Sequence, residues 1–165
     1  MGFWEGRLRM TEEEYRRMKD SIICLTPYRE LMGGKDKSIY DFVQEDYSVP
    51  DKVITYLKTT KPYVMCPGVY KHPFKDDKNL LGPYFCWDGK KYYWDRDTWK
   101  YVVKYGLTLP QEFIDYVMSD EGTEYLEEFG RDNQSWGKVI ENWKADSSAL
   151  VMLPSDAGDI ELDDF

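Results

Sequence analysis

The run YFCWDGKKYYW at residues 84–94 is the strongest local signal in the chain. Its central Asp88-Gly89 pair lies between two aromatic segments, and Asp-Gly favours a two-residue hairpin turn because both turn positions take a positive φ. The aromatic segments on either side have the composition of β-strands. The run therefore predicts a β-hairpin at about residues 83–94.

The turn also predicts which residues of the hairpin face each other. A two-residue turn places Trp87 opposite Lys90 and Phe85 opposite Tyr92. Side chains alternate between the two faces of a strand, so each face can be read from the sequence. On the face that we expect to cover the core lie Phe85, Trp87, Tyr92 and Trp94. The other face carries Tyr84, Cys86, Lys91 and Tyr93.

Helix signals lie on both sides of the hairpin. Thr11 and Glu14 have the spacing of a capping box, in which each side chain accepts the other residue's backbone N–H. Asp97 is placed to cap a helix over residues 98–105, which Gly106 ends. Farther along, a turn is expected around Gly122 and another helix end at Gly130. These patterns predict several helices around a small sheet.

The fold class that follows is α+β. We expect a mostly helical single domain over residues 1–145, packed around a small antiparallel sheet that contains the hairpin, and an acidic C-terminal tail over residues 146–165. The 16% aromatic content excludes a disordered chain. No apolar run approaches the roughly 18 residues that a membrane span needs, so we expect no membrane partner.

The cysteines predict the compartment. Cys24, Cys66 and Cys86 are odd in number and widely spaced, whereas a secreted disulfide scaffold has an even and denser set. The first residues also lack the apolar stretch of a secretory signal. We therefore expect reduced thiols and a cytoplasmic location.

The charge of the chain is unevenly distributed. The net charge is −9, yet residues 46–106 carry eleven basic and seven acidic side chains. Residues 107–145 carry three basic and nine acidic side chains, and residues 146–165 carry six acids and no base. Because a field of one sign steers a partner of the other, this pattern predicts a basic partner for the acidic end.

No arrangement of residues in the sequence predicts catalysis. His72 is the only histidine, and no nucleophile lies near it in a recognisable motif. Cys66, His72 and Cys86 lack the paired spacing of a structural zinc site. Asp95 and Asp97 could hold magnesium with phosphate, but capping a helix and a strand end is the preferred interpretation. We expect no enzyme, metal or cofactor.

The acidic end favours a protein that inhibits by binding. Carboxylates between apolar helix positions can imitate a phosphate backbone and occupy a basic surface of a larger partner, such as a surface that binds nucleic acid. Immunity proteins and phage-encoded or bacterial anti-defence inhibitors are of this physical type. The tail mixes acids with Ile160, Leu162 and Phe165, which suits either docking or a solubilising end. The predicted partner-binding residues are Glu124, Glu127, Glu128, Asp159, Glu161, Asp163 and Asp164.

The basic middle of the chain supports an alternative. Lysines lie there beside tyrosines, a mixture that binds nucleic acid through phosphate contacts and stacking. The protein would then be a nucleic-acid-binding regulator, with the acidic tail as an autoinhibitor. The residues predicted for this role are Lys90, Lys91, Lys100 and Lys104.

Overall fold

The hairpin predicted from the aromatic run lies at the centre of a four-stranded sheet. The structure is a computed structural model, and it describes residues 11–145 and residue 165. Within this part of the chain the strands are β1 (Ile23–Cys24), β2 (Pro62–Met65), β3 (Val69–Lys71), β4 (Asn79–Leu81), β5 (Tyr84–Trp87) and β6 (Tyr92–Asp95). The α-helices are α1 (Glu12–Ser21), α2 (Asp51–Lys58), α3 (Thr98–Tyr105), α4 (Gln111–Met118), α5 (Asp120–Asp132) and α6 (Gln134–Ala145), with short 3-10 helices at Arg29–Leu31 and Ile39–Phe42.

The main sheet is mixed, which corrects the expectation of an antiparallel sheet. Its strand order is β1-β6-β5-β2, and β3 and β4 form a separate two-stranded hairpin. The pairs β5–β6 and β2–β5 are antiparallel, but β1 runs parallel to β6, with Ile23 opposite Tyr92. Residues 25–91 connect these two parallel strands, as a parallel pair requires a long crossover. The α+β composition itself is confirmed.

The register of the hairpin differs from the predicted one by three residues. Trp87 lies opposite Tyr93 rather than Lys90, and Phe85 lies opposite Asp95. The cause is the Asp88 carboxylate, because its Oδ1 accepts the backbone N–H groups of residues 90, 91 and 92 at 2.8, 2.8 and 3.2 Å. These bonds hold a loop wider than a two-residue turn, and Gly89 in it has a φ of 80°.

An odd change of register moves side chains between faces. Tyr92 and Trp94 keep the core face, but they share it with Cys86, and all three are buried. Trp87 and Tyr93 share the other face, where Tyr63 of β2 lies with its ring centroid 5.0 Å from each of theirs. Phe85 and Trp87 therefore lie on the face opposite to the predicted one, although Phe85 is itself buried there.

Aromatic rings from three helices cover the core face of the sheet. The Tyr56 ring of α2 lies 5.8 Å from Trp94, 5.7 Å from Phe113 of α4 and 4.7 Å from Tyr125 of α5, measured between centroids. Trp94 also donates its indole N–H to the carbonyl of Leu57 at 3.0 Å. Aromatic pairs at these distances add to the stability that burial supplies, so this cluster positions α5 against the sheet.

Local helix signals have mixed outcomes. The capping box is confirmed, since Glu14 N–H donates to Thr11 Oγ1 at 3.1 Å and Thr11 N–H donates to Glu14 at 2.8 Å. Gly106 ends α3 with a φ of 73°. Gly122 and Gly130 instead lie inside α5, where each is buried against neighbouring backbone. None of the helices described is both long and apolar enough to span a membrane.

Candidate functional site

An acidic stripe runs along the exposed side of α5. From Glu121 onward its members recur every three or four residues, so they follow one face of the helix, where Cβ atoms at this spacing are about 5–6 Å apart. All of them are exposed to solvent, as are the α4 carboxylates of Glu112 and Asp115. We use the name acidic stripe for Asp120, Glu121, Glu124, Glu128 and Asp132.

The predicted residue Glu127 does not belong to this stripe. It is half-buried and lines a groove of about 430 Å³ between α5 and α6, together with Arg131 and Glu141. Glu124 and Glu128 are exposed on the stripe. The structure therefore separates Glu127 from the other two glutamates of the predicted set.

One end of the stripe borders basic side chains. Glu128 and Asp132 line a pocket of about 350 Å³ whose opposite wall includes Lys61 and Lys90. Lys90 lies in the loop held by Asp88, and this loop forms part of the wall. The acidic stripe and the tip of the hairpin thus form one continuous surface with charges of both signs.

The predicted cation Lys100 is inside the protein, which corrects its expected place on a nucleic-acid-binding face. Lys100 is 2% exposed, and its Nζ lies 3.2 Å from Oδ1 of Asp97. Asp97 makes this ion pair and does not cap α3 with its side chain. The α3 helix also buries Tyr101, whereas Val103 is exposed.

The other predicted cations stay at the surface. Lys90, Lys91 and Lys104 are exposed. The Lys91 ammonium lies 5.4 Å from the ring centroid of Tyr116 in α4, and that of Lys104 lies 5.8 Å from the ring of Tyr105 at the end of α3. Lys91 and Lys104 thus each lie over an aromatic ring, where cation–π attraction is expected.

A buried polar cluster surrounds Asp95, beside the Asp97–Lys100 pair. Tyr70 donates its hydroxyl to Oδ2 of Asp95 at 3.1 Å, and the N–H of Asp97 donates to Oδ1 at 2.8 Å. Burial and the nearby Asp97 carboxylate together raise the pKa of Asp95 to about 7. The hydroxyl of Thr26 accepts the N–H of Asp95, which connects β1 to the cluster.

His72 lies in the loop that follows β3 and is buried in an aromatic environment. It is 1% exposed, and its Nδ1 accepts the N–H of Phe74 at 3.0 Å. Burial lowers its pKa, while the nearby backbone of Phe165 acts in the opposite direction. The rings of Tyr101 and Tyr105 lie 6.0 and 5.7 Å from it. This geometry gives the imidazole a packing role.

Asp159, Glu161, Asp163 and Asp164 lie outside the described residues. Of the possible zinc ligands, Cys66 is exposed while Cys86 and His72 are buried. Within residues 11–145 and residue 165, no group of three or more His, Cys, Asp or Glu side chains is arranged to hold a metal ion.

The chain matches no known protein-family model, and comparisons with curated proteins and with solved structures likewise return no match.

Sequence reasoning missed the site at residue 165. Phe165 is fully buried against His72, Tyr101 and Tyr105. The alternation of acids with apolar residues near the end of the chain indicated docking, but nothing in it identified the surface that Phe165 contacts. His72 and Tyr101 lie almost thirty residues apart in the sequence, so no local motif connects them.

Proposed function

We propose that this protein is a non-enzymatic, acidic inhibitor of the immunity or anti-defence type. It binds a larger protein through the acidic stripe and covers a basic surface of that partner. The observation that carries the proposal is the row of exposed carboxylates along α5, from Asp120 to Asp132. Their net charge attracts a basic partner over distances beyond direct contact.

The stripe is suited to imitate a nucleic-acid backbone. Its carboxylates follow a rigid helix at a regular spacing, and α5 is anchored to the core through Tyr125. A fixed row of negative charges loses little conformational freedom on binding, which favours affinity. A partner groove built to hold phosphates would accept such a row.

The buried Lys100–Asp97 pair lowers the support for the nucleic-acid alternative. One of its four lysines is withdrawn from solvent, and the neighbouring Tyr101, whose ring would have to be exposed to stack on a base, is buried as well. The alternative then depends on Lys90, Lys91 and Lys104. We therefore prefer the inhibitor and treat recovery of nucleic acid as an outcome of its test.

The test is a charge reversal on the stripe with a control of equal net charge. Immobilised protein would be used to capture partners from a lysate of the source cell, comparing the wild type with the double variant Glu124→Lys/Glu128→Lys. The control is Asp76→Lys/Asp77→Lys, which reverses two exposed carboxylates in the connection between β3 and β4. Affinity for the captured protein should fall at least about tenfold in the stripe variant and stay close to the wild-type value in the control.

The salt dependence and the class of molecule captured complete the test. Binding by the stripe should weaken as salt rises, and the captured protein should release bound nucleic acid when the inhibitor is added. Equal binding by the stripe variant and the wild type would refute the use of the stripe. Recovery of nucleic acid in place of a protein would support the regulator.

A further inference from the structure

Phe165 occupies a pocket built from aromatic rings of α3 and of the chain after β3. Its ring centroid lies 4.5 Å from that of His72, 5.1 Å from that of Tyr101 and 6.3 Å from that of Tyr105. Phe165 is 0% exposed. We use the name Phe165 pocket for the site formed by His72, Lys100, Tyr101 and Tyr105.

The pocket contacts the backbone of its occupant as well as the ring. The Tyr105 hydroxyl donates a hydrogen bond of 2.9 Å to the carbonyl oxygen of Phe165. The Lys100 ammonium lies 5.1 Å from the centroid of the Phe165 ring and is held there by Asp97. An aliphatic side chain would lose the attraction between the ammonium and the ring face. The site therefore distinguishes an aromatic residue from other apolar residues.

The surroundings of the pocket are basic. Lys75 and Lys78 lie close enough to His72 to act on its charge, and Lys104 is exposed on the last turn of α3. The positive charge of these lysines favours a bound segment that carries acidic residues. In this chain the two residues before Phe165 are aspartates. Aromatic and acidic residues together thus complement the pocket and its surroundings.

We propose that the Phe165 pocket is a recognition site for a peptide segment in which an aromatic residue follows acidic residues. Phe165 occupies the site within the chain, and a partner segment of the same chemistry binds there in its place. The proposal goes beyond the inhibitory function and uses neither the acidic stripe nor its partner. The site lies on α3, whereas the stripe lies on α5.

The test measures binding of a defined peptide to the full-length protein. A fluorescently labelled peptide with the sequence of residues 159–165, DIELDDF, would be titrated with the wild type and with full-length Phe165→Ala, and anisotropy recorded. The variant should bind the peptide saturably, and the wild type at least tenfold more weakly, because its own Phe165 competes. Absence of saturable binding to the folded variant, or equal binding to both proteins, would overturn the proposal.

Matched controls assign the binding to the pocket. A peptide with alanine in place of the phenylalanine should not bind, and one with asparagines in place of the last two aspartates should bind more weakly and with less dependence on salt. Adding Tyr105→Phe to the Phe165→Ala protein removes only the hydroxyl donor and should weaken binding. Binding that is indifferent to all three changes would place the peptide elsewhere and refute the site.

A second variant keeps the test decisive if Phe165→Ala does not fold. Phe165→Leu retains an apolar side chain in the pocket but removes the ring. The aromatic peptide should displace this leucine more readily than it displaces the wild-type phenylalanine, and equal displacement would count against the proposal. Because no partner protein is present, failure here leaves the charge-reversal test of the inhibitor unaffected.

Discussion

The hydroxyl of Tyr56 donates a 2.7 Å hydrogen bond to Oδ2 of Asp88, which joins α2 to the loop between β5 and β6. The other oxygen of the same carboxylate accepts three backbone N–H groups of that loop. Asp88 is 2% exposed. One buried carboxylate therefore determines the shape of the hairpin loop and connects the loop to the aromatic core.

Replacing Asp88 should destabilise the fold strongly. Asp88→Ala leaves the Tyr56 hydroxyl and three N–H groups without their acceptor, so we expect the free energy of unfolding to fall by about 3 kcal/mol or more. Denaturant unfolding measures the change. Asp77→Ala, at an exposed position, should stay within about 0.5 kcal/mol of the wild type. A similarly small effect of Asp88→Ala would contradict the structural role of its carboxylate.

Asp95 should make stability fall as the pH rises. Burial and the neighbouring Asp97 raise its pKa from 3.8 to about 7, so between these values the folded protein holds a proton that the unfolded chain has lost. Stability is then lost progressively as the pH increases through that window. Asp95→Asn removes this titration, and its unfolding free energy relative to the wild type should rise by at least about 1 kcal/mol from pH 5 to pH 7.5.

The pH comparison also separates Asp95 from His72. Burial lowers the pKa of His72, so the stability that the neutral imidazole contributes is lost as the pH falls below the ordinary value of 6.5. This pH dependence is opposite in direction to that of Asp95. Both proteins retain His72, and its effect therefore cancels in their difference. Parallel pH profiles of the wild type and Asp95→Asn, obtained by urea unfolding, would show that the Asp95 pKa is not raised.

Two lysines on α3 should respond differently to the same substitution. Lys100→Met leaves the buried Asp97 carboxylate without its ammonium partner and should cost about 3 kcal/mol of unfolding free energy. Lys104→Met changes an exposed residue one turn later and should alter stability by no more than about 0.5 kcal/mol. Thermal and denaturant unfolding of the two variants provide the comparison. Equal effects would mean that Lys100 is not buried as an ion pair.

Gly106 should tolerate no side chain. Its φ is 73°, and a Cβ placed there would lie 2.1 Å from the carbonyl oxygen of Gln44. Gly106→Ala should lower the unfolding free energy by about 2 kcal/mol or more, because the conformation is strained for alanine and the backbone of Gln44 must also move. Asparagine tolerates a positive φ better than alanine does, so Gly106→Asn reduces the backbone strain but keeps the clash with Gln44. This variant should therefore remain clearly destabilised. Wild-type stability of Gly106→Asn would show that the close approach is unimportant.

Features that depend on a few neighbouring residues could be read from the sequence. Two such predictions are confirmed, the capping box of Thr11 and Glu14 and the helix end at Gly106. Each depends on backbone groups within about four residues. The hairpin itself was also predictable, since its aromatic segments lie on either side of Asp88-Gly89. The exposed positions of Glu124 and Glu128 follow from the apolar spacing of their helix.

Features that depend on distant contacts required the tertiary structure. Gly122 and Gly130 resemble helix ends in the sequence, but α5 continues through both. Glycine is needed there because a Cβ at position 122 would lie 1.9 Å from the carbonyl oxygen of Val117, and one at position 130 would lie 3.3 Å from the Cα atom of Gly137. Close helix packing, and not a turn, explains these glycines. Their role becomes visible only when the neighbouring helices are in place.

The sequence by itself determined that helices surround a small sheet, where several of these elements begin and end, and how unevenly the charge is distributed. The tertiary structure decided the hairpin register, through Tyr56 and Asp88, and the burial of Lys100 beside Asp97 and Phe165. The reason is physical: a helix cap involves groups a few residues apart, whereas the burial of a charge depends on every side chain that surrounds it. Those side chains come from distant parts of the chain, and only folding brings them together.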